Sequence, residues 1–210
     1  AAVSLPEEAR AHADAWEEAP FRDVAVLEPF SHQTLADYSD VVVIINNQSE
    51  ASRTIGTAFA LARNIPPERV LLLTNESTPT SEIINSNQFT TYFANPISQM
   101  ISERNLTEIN VLVTTKGVPL GVNGGTNSRA SFDSELALID GPYAPSIFAD
   151  WYVDSNYGPA AGNEMKAFQR DEQGYYLVTR LTGYDVETAL GLIAKTNTSL
   201  GQHGLTVIDL

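Results

Sequence analysis

Continuous hydrophobic runs alternate along this chain with segments in which hydrophobic residues recur at helical spacing. The run DVVVIINN is apolar until it ends on two amides, which is typical of a strand buried on both faces. SEASRTIGTAFALARN follows and predicts a helix with Ser49 or Ser52 as its cap. ERVLLLTN then predicts a second strand. A strand, a helix and a strand in this order indicate a right-handed crossover between parallel strands.

The same alternation continues through the rest of the chain. SNQFTTYFANPISQMISERN predicts two short helices or one bent helix, because Pro96 fits only a first helical turn or a kink. Residues 108–115 and 175–181 predict the third and fourth strands, and Asp185 caps a predicted helix after them. The pattern therefore predicts an α/β fold: a mostly parallel sheet with helices on both faces and a long insertion between the third and fourth core strands.

The predicted organisation is an appendage followed by one domain. Residues 1–39 combine a segment of helical composition with a possible short strand, and either cover one flank of the fold or form an arm that pairs with a neighbouring molecule's sheet. Residues 40–210 form the α/β domain, and an insertion of about residues 118–173 is expected above the strand ends as a lid. The last residues, GLTVIDL, resemble a strand just reached, so we expect the protein to continue beyond them.

Composition removes several classes of function. The chain carries 26 acidic and 12 basic residues, a net charge of −14, which disfavours nucleic acid and anionic membrane surfaces as partners. It has no cysteine, which excludes disulfides, thiolate metal sites and cysteine nucleophiles. No apolar run approaches the roughly 20 residues of a spanning helix, so membrane insertion is not expected. Glycosylation sequons, which give weak support for export, begin at Asn47, Asn75, Asn105 and Asn197.

The predicted ligand crevice lies at the carboxyl ends of the strands, where parallel sheets bind ligands. In VLVTTKGVPL, the third predicted strand is followed directly by a polar turn that contains Thr115, Lys116 and Gly117. Asn46 ends the first predicted strand. Lys116 either binds an anion or acts as a base, or else bonds nearby carbonyls and holds the turn. Asn46, Thr115 and Gly117 are candidate ligand-binding residues, although Gly117 also suits the turn geometry itself.

A second group of candidates lies in NSRASFDSEL and in the fourth strand. Asp133 and Glu135, with Arg129 before them, could form a polar network near Lys116 that positions a substrate or a divalent cation. The alternative explains Asp133 as an acid in the first turn of a helix, where the helix dipole favours it. Arg180 interrupts an apolar strand and, if buried, needs Asp133 or Glu135 as its partner. Lys116, Asp133, Glu135 and Arg180 are the predicted catalytic residues.

The insertion is rich in aromatic residues beside acids and amides. Trp151 and Tyr157 could stack a saccharide or a peptide, or they could form a small core that packs onto the sheet. Glycines of GVNGGTN suggest a mobile loop but lack the spacing of a phosphate loop. The sequence predicts no metal site and leaves any cofactor unknown.

Three ordered segments carry a resemblance to a known family: VLVTTKGVPL, DSELALI and YYLVTRLTGYDVETALGLI. With an NPI segment at Asn95, they resemble a family of uncharacterised exported bacterial and archaeal proteins found in genomes that carry the exosortase protein-sorting system. The likeness runs from about Val41 to the end of the chain. It implies an extracellular or cell-surface location and supplies no reaction.

The predicted strand order also looks like that of the caspase–gingipain class. In that class a His-Gly pair follows the third strand and a cysteine follows the fourth, whereas this chain has Lys116-Gly117 and Thr179-Arg180 at those places. A cysteine peptidase is therefore excluded.

Two functional hypotheses follow. The first is an exported domain with a ligand or hydrolytic cleft at the strand ends. The second is a non-catalytic surface or filament module that self-associates through residues 1–39. They differ in whether Lys116, Asp133, Glu135 and Arg180 line an open pocket or satisfy one another in the interior.

Overall fold

A computed structural model of the chain describes residues 38–124, 128–144 and 168–195. The chain divides into two compact units, Ala1–Ala36 and Asp37–Leu210. The first unit, which contains most of the predicted appendage, lies outside the described residues, as do the middle of the predicted insertion and the predicted last strand.

The main sheet has four parallel strands in the order β2-β1-β4-β7. They are β1 (Val41–Asn46), β2 (Val70–Leu73), β4 (Val111–Thr115) and β7 (Leu177–Leu181). Each lies within a segment that the hydrophobic pattern predicts as a strand. The long insertion lies between β4 and β7. The four parallel strands, with helices between them in the chain, confirm the predicted α/β fold class.

Helices cover both faces of this sheet. Helix α1 (Glu50–Ala62) begins at Ser49, whose side chain accepts the N–H of Ser52, and α6 (Val186–Lys195) packs beside α1 on the same face. The opposite face carries α3 (Asn95–Glu103) and α4 (Phe132–Ala137). The remaining helices are α2 (Ser86–Phe89) and α5 (Arg170–Gln173), with a 3-10 turn at Pro67–Arg69.

The predicted bent helix is a continuous run of three pieces. Helices α2 and α3 are joined by a π-helical stretch, Thr90–Ala94, in which the wider turn carries Phe93 into the core. Pro96 lies in the first turn of α3, directly after the π-helical stretch, where a wider turn accommodates a residue that has no main-chain N–H.

The structure contains a second, three-stranded sheet that the sequence pattern does not predict. Its strands are β3 (Ile83–Asn85), β5 (Gly121–Gly124) and β6 (Ser128–Ser131), in the order β3-β5-β6. β5 pairs parallel with β3 and antiparallel with β6. The expectation that the glycines of GVNGGTN form a mobile loop is therefore wrong for Gly121 and Gly124, which lie in β5. Gly125 lies outside the described residues.

The core is divided by the sheet, because residues of β1 alternate between its two faces. Val42 and Ile44 pack with Leu71 and the helices of the α3 face, while Val43 and Ile45 pack towards α1. On the α3 face, Phe132 meets Phe89 and Phe93 edge to face, with ring centroids 5.1 and 5.0 Å apart. This aromatic group fixes α4 against the sheet. Among the described helices, none is both long and apolar enough to span a membrane.

Candidate functional site

The predicted crevice lies between β1 and β4, where the strand order reverses, and a side chain of the protein itself closes it. Asn46 is fully buried at the end of β1. Its amide nitrogen donates to the carbonyls of Pro79 at 2.8 Å and Gly117 at 3.0 Å, and its oxygen accepts the N–H of Gln48. Asn46 thus joins two loops across the position that a ligand would occupy.

Beneath this closure lies a buried pair of hydroxyls. Ser52 of α1 and Thr115 of β4 have no exposed surface, and their hydroxyl oxygens are 2.6 Å apart. Ser52 Oγ also accepts the N–H of Asn46 at 2.8 Å. Ser52 is therefore not the helix cap, but a link between α1, β1 and β4.

Gly117 brings the turn after β4 into contact with α1. Its φ of 96° lies in the left-handed region, and a Cβ atom there would lie 2.7 Å from Ser49 Cβ and collide with Ser49 Oγ. Because Ser49 caps α1, this close approach requires glycine at the turn.

Arg180 and Asp133 form a two-pronged ion pair between β7 and α4. Arg180 Nε donates to Asp133 Oδ2 at 2.8 Å, and Nη2 donates to Oδ1 at 2.6 Å. The guanidinium also donates to the carbonyls of Thr115, Val118 and Pro119 at 3.4, 2.9 and 2.8 Å. An arginine has five N–H donors, and these contacts use all of them.

The pair is largely enclosed. The side chains of Arg180 and Asp133 are 11% and 27% exposed, and the guanidinium carbon lies 6.0 Å from the ring centroid of Phe132. Thr114, buried on β4, donates its hydroxyl to Asp133 Oδ1 at 3.1 Å. The arrangement ties β4, β7, α4 and the turn at Val118 into one unit.

Lys116 does not join this ion pair. Its ammonium group donates to the carbonyls of Gly183 and Tyr184, each at 3.2 Å, and so holds the loop between β7 and α6. In that loop Asp185 caps α6 by accepting the N–H and hydroxyl of Thr188, both at 2.7 Å. The Thr188 hydroxyl is the main cause that holds the pKa of the Asp185 carboxyl below its usual value, and Lys116 contributes least.

The other predicted site residues lie elsewhere or outside the described residues. Glu135 is buried on α4 but is not an acceptor of Arg180. Arg129 is exposed on β6, where its main chain pairs with Asn123. Trp151 and Tyr157 lie outside the described ranges. Within those ranges, no three His, Asp or Glu side chains come together to hold a metal ion.

A different concavity, which the sequence reasoning missed, lies beside β2. This pocket of about 230 Å³ is formed by the end of β2, the loop after it, and one flank of α2 to α3. Its lining residues are Leu72, Leu73, Thr74, Asn75, Thr78, Tyr92, Pro96, Gln99, Met100 and Glu103. Pro96, Gln99, Met100 and Glu103 follow the spacing of one helix face, which is the signal that could have revealed it.

Thr78 is the unusual member of this pocket. It is 4% exposed, and its hydroxyl has no hydrogen-bond partner in the part of the chain that the structure describes. A buried hydroxyl without a partner is costly, and such groups in a folded protein call for an explanation.

A second concavity of about 270 Å³ lies at the opposite, amino-terminal ends of the strands, near Asp40 and Asn110. Asn110 donates to Asp40 Oδ2 at 3.1 Å and accepts the N–H of Arg170 at 2.8 Å. The Arg170 guanidinium lies 4.8 Å from the ring centroid of Tyr176. Burial raises the pKa of Tyr176 to about 12. These contacts tie the end of the insertion to the base of the sheet.

Comparisons of the chain with models of known protein families, with curated proteins and with solved structures returned no match. The resemblance to the exported family therefore stays a prediction.

Proposed function

We propose that this chain is a non-catalytic module of an exported or cell-surface protein, whose strand-end polar residues hold the fold together. One observation carries the proposal: all five N–H donors of Arg180 have acceptors within the protein. A guanidinium in this state has no donor left for a substrate anion.

The neighbouring residues support the same conclusion. Lys116 is bound to two carbonyls, and Asn46 closes the crevice between β1 and β4. A hydrolytic cleft at this place would need an accessible base or nucleophile, whereas Ser52 and Thr115 are fully buried. The polar groups of Lys116, Asp133 and Arg180 are thus engaged in contacts within the fold.

The test is to change Arg180 while keeping its charge. Arg180→Lys cannot reproduce the paired contact with Asp133, so we expect the free energy of unfolding to fall by about 3 kcal/mol in urea titrations. Arg129→Lys is the matched control, since Arg129 is exposed, and should change stability by less than about 0.5 kcal/mol.

The same two variants separate a structural role from a catalytic one. If Arg180→Lys unfolds like the wild type but loses turnover in a screen of esters, peptides and polysaccharides, the non-catalytic proposal is wrong. If stability falls and no turnover is found in either protein, the proposal stands.

The location and the assembly are further parts of this proposal. The family resemblance supports export, and the sequon residues Asn75 and Asn105 are exposed. Protease added to intact cells should then degrade the protein. Self-association through residues 1–39 predicts that light scattering gives a larger mass for the full chain than for a variant that lacks them. If light scattering gives a monomer mass for both proteins, the proposed self-association through residues 1–39 is wrong.

A further inference from the structure

Among the described strands, β2 lies at one edge of the main sheet. Asn47 N donates to Leu73 O at 3.1 Å, so the main-chain groups of Leu73 face β1. Hydrogen-bonding groups alternate in direction along a strand, and the register pairs Leu72 with Ile45. The N–H and C=O of Leu72 therefore point away from the sheet, and no described residue bonds them there.

Two residues before Leu72, a side chain of the protein already occupies the outer edge of β2. Arg104 donates to the carbonyls of Val70 at 3.0 Å and Glu68 at 2.9 Å. Leu72 is thus the first place along β2 at which an additional strand finds a main-chain donor and acceptor that no described residue bonds. Leu72 is 39% exposed, so an added strand can reach it.

The free edge lies beside the pocket that contains Thr78. Ile97 and Ile101 of α3 pack onto Leu71 and Leu73. The next face of the helix, with Pro96, Gln99, Met100 and Glu103, lines the pocket together with Leu72. The edge of β2 and the flank of α3 therefore form one groove, which continues into a pocket large enough for a side chain.

The lining of this pocket favours a cationic side chain with an aliphatic stem. Tyr92, Pro96 and Met100 offer apolar contacts for the stem. Glu103 is the charged residue of the lining; it accepts from Gln99 Nε2 at 2.7 Å, which leaves the carbonyl oxygen of Gln99 as a further acceptor. The unpartnered hydroxyl of Thr78 is a third acceptor. Arg104, the neighbouring cation, is engaged at the start of β2.

We propose that the groove between β2 and α3 binds an extended segment of another protein, which adds as a strand beside Leu72 and places a lysine or arginine side chain between Thr78 and Glu103. Strand addition supplies main-chain bonds, and a side-chain pocket supplies specificity. The net charge of −14 attracts a basic segment at long range. This inference rests on the proposed non-catalytic function and names its partner by chemistry.

The test begins with a displayed library of random octapeptides selected on the full chain. We expect the selected peptides to share a basic residue flanked by alternating β-branched residues. Amide chemical shifts in a nitrogen-15 spectrum should change at Leu72 and Thr78 when a selected peptide is added. Failure of the library to yield a binder, or shift changes confined to other strands, would overturn the proposal.

Three variants then assign the contacts by fluorescence anisotropy with a selected peptide. Leu72→Pro removes the outward N–H, which β1 does not use, and should weaken binding at least about tenfold. Thr78→Val removes the hydroxyl and should weaken it by several fold. Glu103→Gln should weaken a lysine peptide about tenfold, yet leave the same peptide with norleucine in place of lysine unchanged. Glu108→Gln, exposed at the other end of the sheet, is the matched charge control and should bind as the wild type does.

A second measurement tests strand addition on the wild type, so that its result does not depend on whether the Leu72→Pro variant folds. Peptides methylated at single backbone nitrogens should lose binding to the wild type at the position that pairs with Leu72. If no methylation matters, or if Leu72→Pro and Glu103→Gln bind like the wild type, strand addition is wrong. If a peptide of residues 21–30 displaces the selected peptides, this segment of the chain is the occupant of the groove and the proposed basic partner is wrong.

Failure of this inference is distinguishable from failure of the proposed function. If Arg180→Lys loses stability and no peptide binds the chain, only the proposal of a peptide-binding groove is contradicted. Wild-type stability in Arg180→Lys together with the loss of a turnover that the wild type shows would contradict the non-catalytic proposal, whatever the peptides do.

Discussion

Gly117 determines how closely the turn after β4 approaches the start of α1. Its positive φ and the position of Ser49 both oppose a side chain there. We predict that Gly117→Ala lowers the free energy of unfolding by about 2 kcal/mol or more, from backbone strain together with displacement of the Ser49 cap. Urea titrations followed by circular dichroism measure this change.

Gly191 provides the matched control for that substitution. It lies within α6, and a Cβ atom there would meet nothing within 4 Å. Gly191→Ala should therefore raise stability by about 0.5–1 kcal/mol, because alanine favours the helix. Equal effects of the two substitutions would contradict the role assigned to Gly117.

Tyr176 gives the molecule a predictable response to alkali. Its pKa is raised by burial from 10.0 to about 12, so the folded state holds the phenolic proton more tightly than the unfolded chain does. This contribution to stability is fully present below pH 10 and is lost as the pH rises towards about 12. Tyr176→Phe should show a shallower loss of stability than the wild type across that window.

Urea midpoints of the two proteins across this window test the prediction. The remaining tyrosines are common to both proteins, so the difference between the two curves reports Tyr176. Parallel curves would show that Tyr176 ionises equally easily in both states.

At the scale of elements, Phe132 fixes α4 against the rest of the α3 face. Its ring is fully buried between Phe89 and Phe93, and Arg180 lies over it. We predict that Phe132→Ala costs about 3–5 kcal/mol, since the cavity cannot be filled without moving two helices. Leu120→Ala, at a leucine that is 47% exposed, should change stability by less than about 0.5 kcal/mol. A cost for Phe132→Ala similar to that of the control would show that α4 is held by other contacts.

The elements differ in how well local sequence predicts them, and the reason is physical. β1 is a run of apolar residues that can only be buried on both faces, and α6 begins at an aspartate that supplies its cap. β5 consists of Gly121, Val122, Asn123 and Gly124, a poor strand former on its own. It becomes a strand because β3 and β6 pair with it, and nothing in its own composition reports those partners.

At the strand ends, too, the sequence predicts some features of the site and not others. Parallel topology brings Asn46, Thr115 and Gly117 to one edge, as predicted from the order of elements. The sequence does not reveal that Asn46 turns inward to the carbonyl of Gly117, which is 71 residues away along the chain. The same residue types would suit a ligand crevice if the two loops stood apart. Whether polar residues bind a ligand or one another is decided by long-range packing.

At the scale of the whole molecule, the excess of acidic residues acts on stability as well as on the choice of partner. With 26 acids and 12 bases, repulsion between like charges opposes the compact state at low ionic strength. We predict that raising NaCl from about 0.02 M to about 0.5 M increases the melting temperature, on the order of 2–4 °C for each kcal/mol gained by screening.

Charge-neutral variants separate this screening from other effects of salt. Glu76 and Glu82 are exposed, and replacing both with glutamine should raise the melting temperature at low salt and reduce its increase with NaCl. Arg53→Gln, which removes an exposed cation, should lower the melting temperature at low salt and make that increase larger. If the melting temperatures of the wild type and both variants rise equally with NaCl, the screening prediction is wrong. The increase then comes from the action of salt on apolar surface, because that effect does not depend on charge.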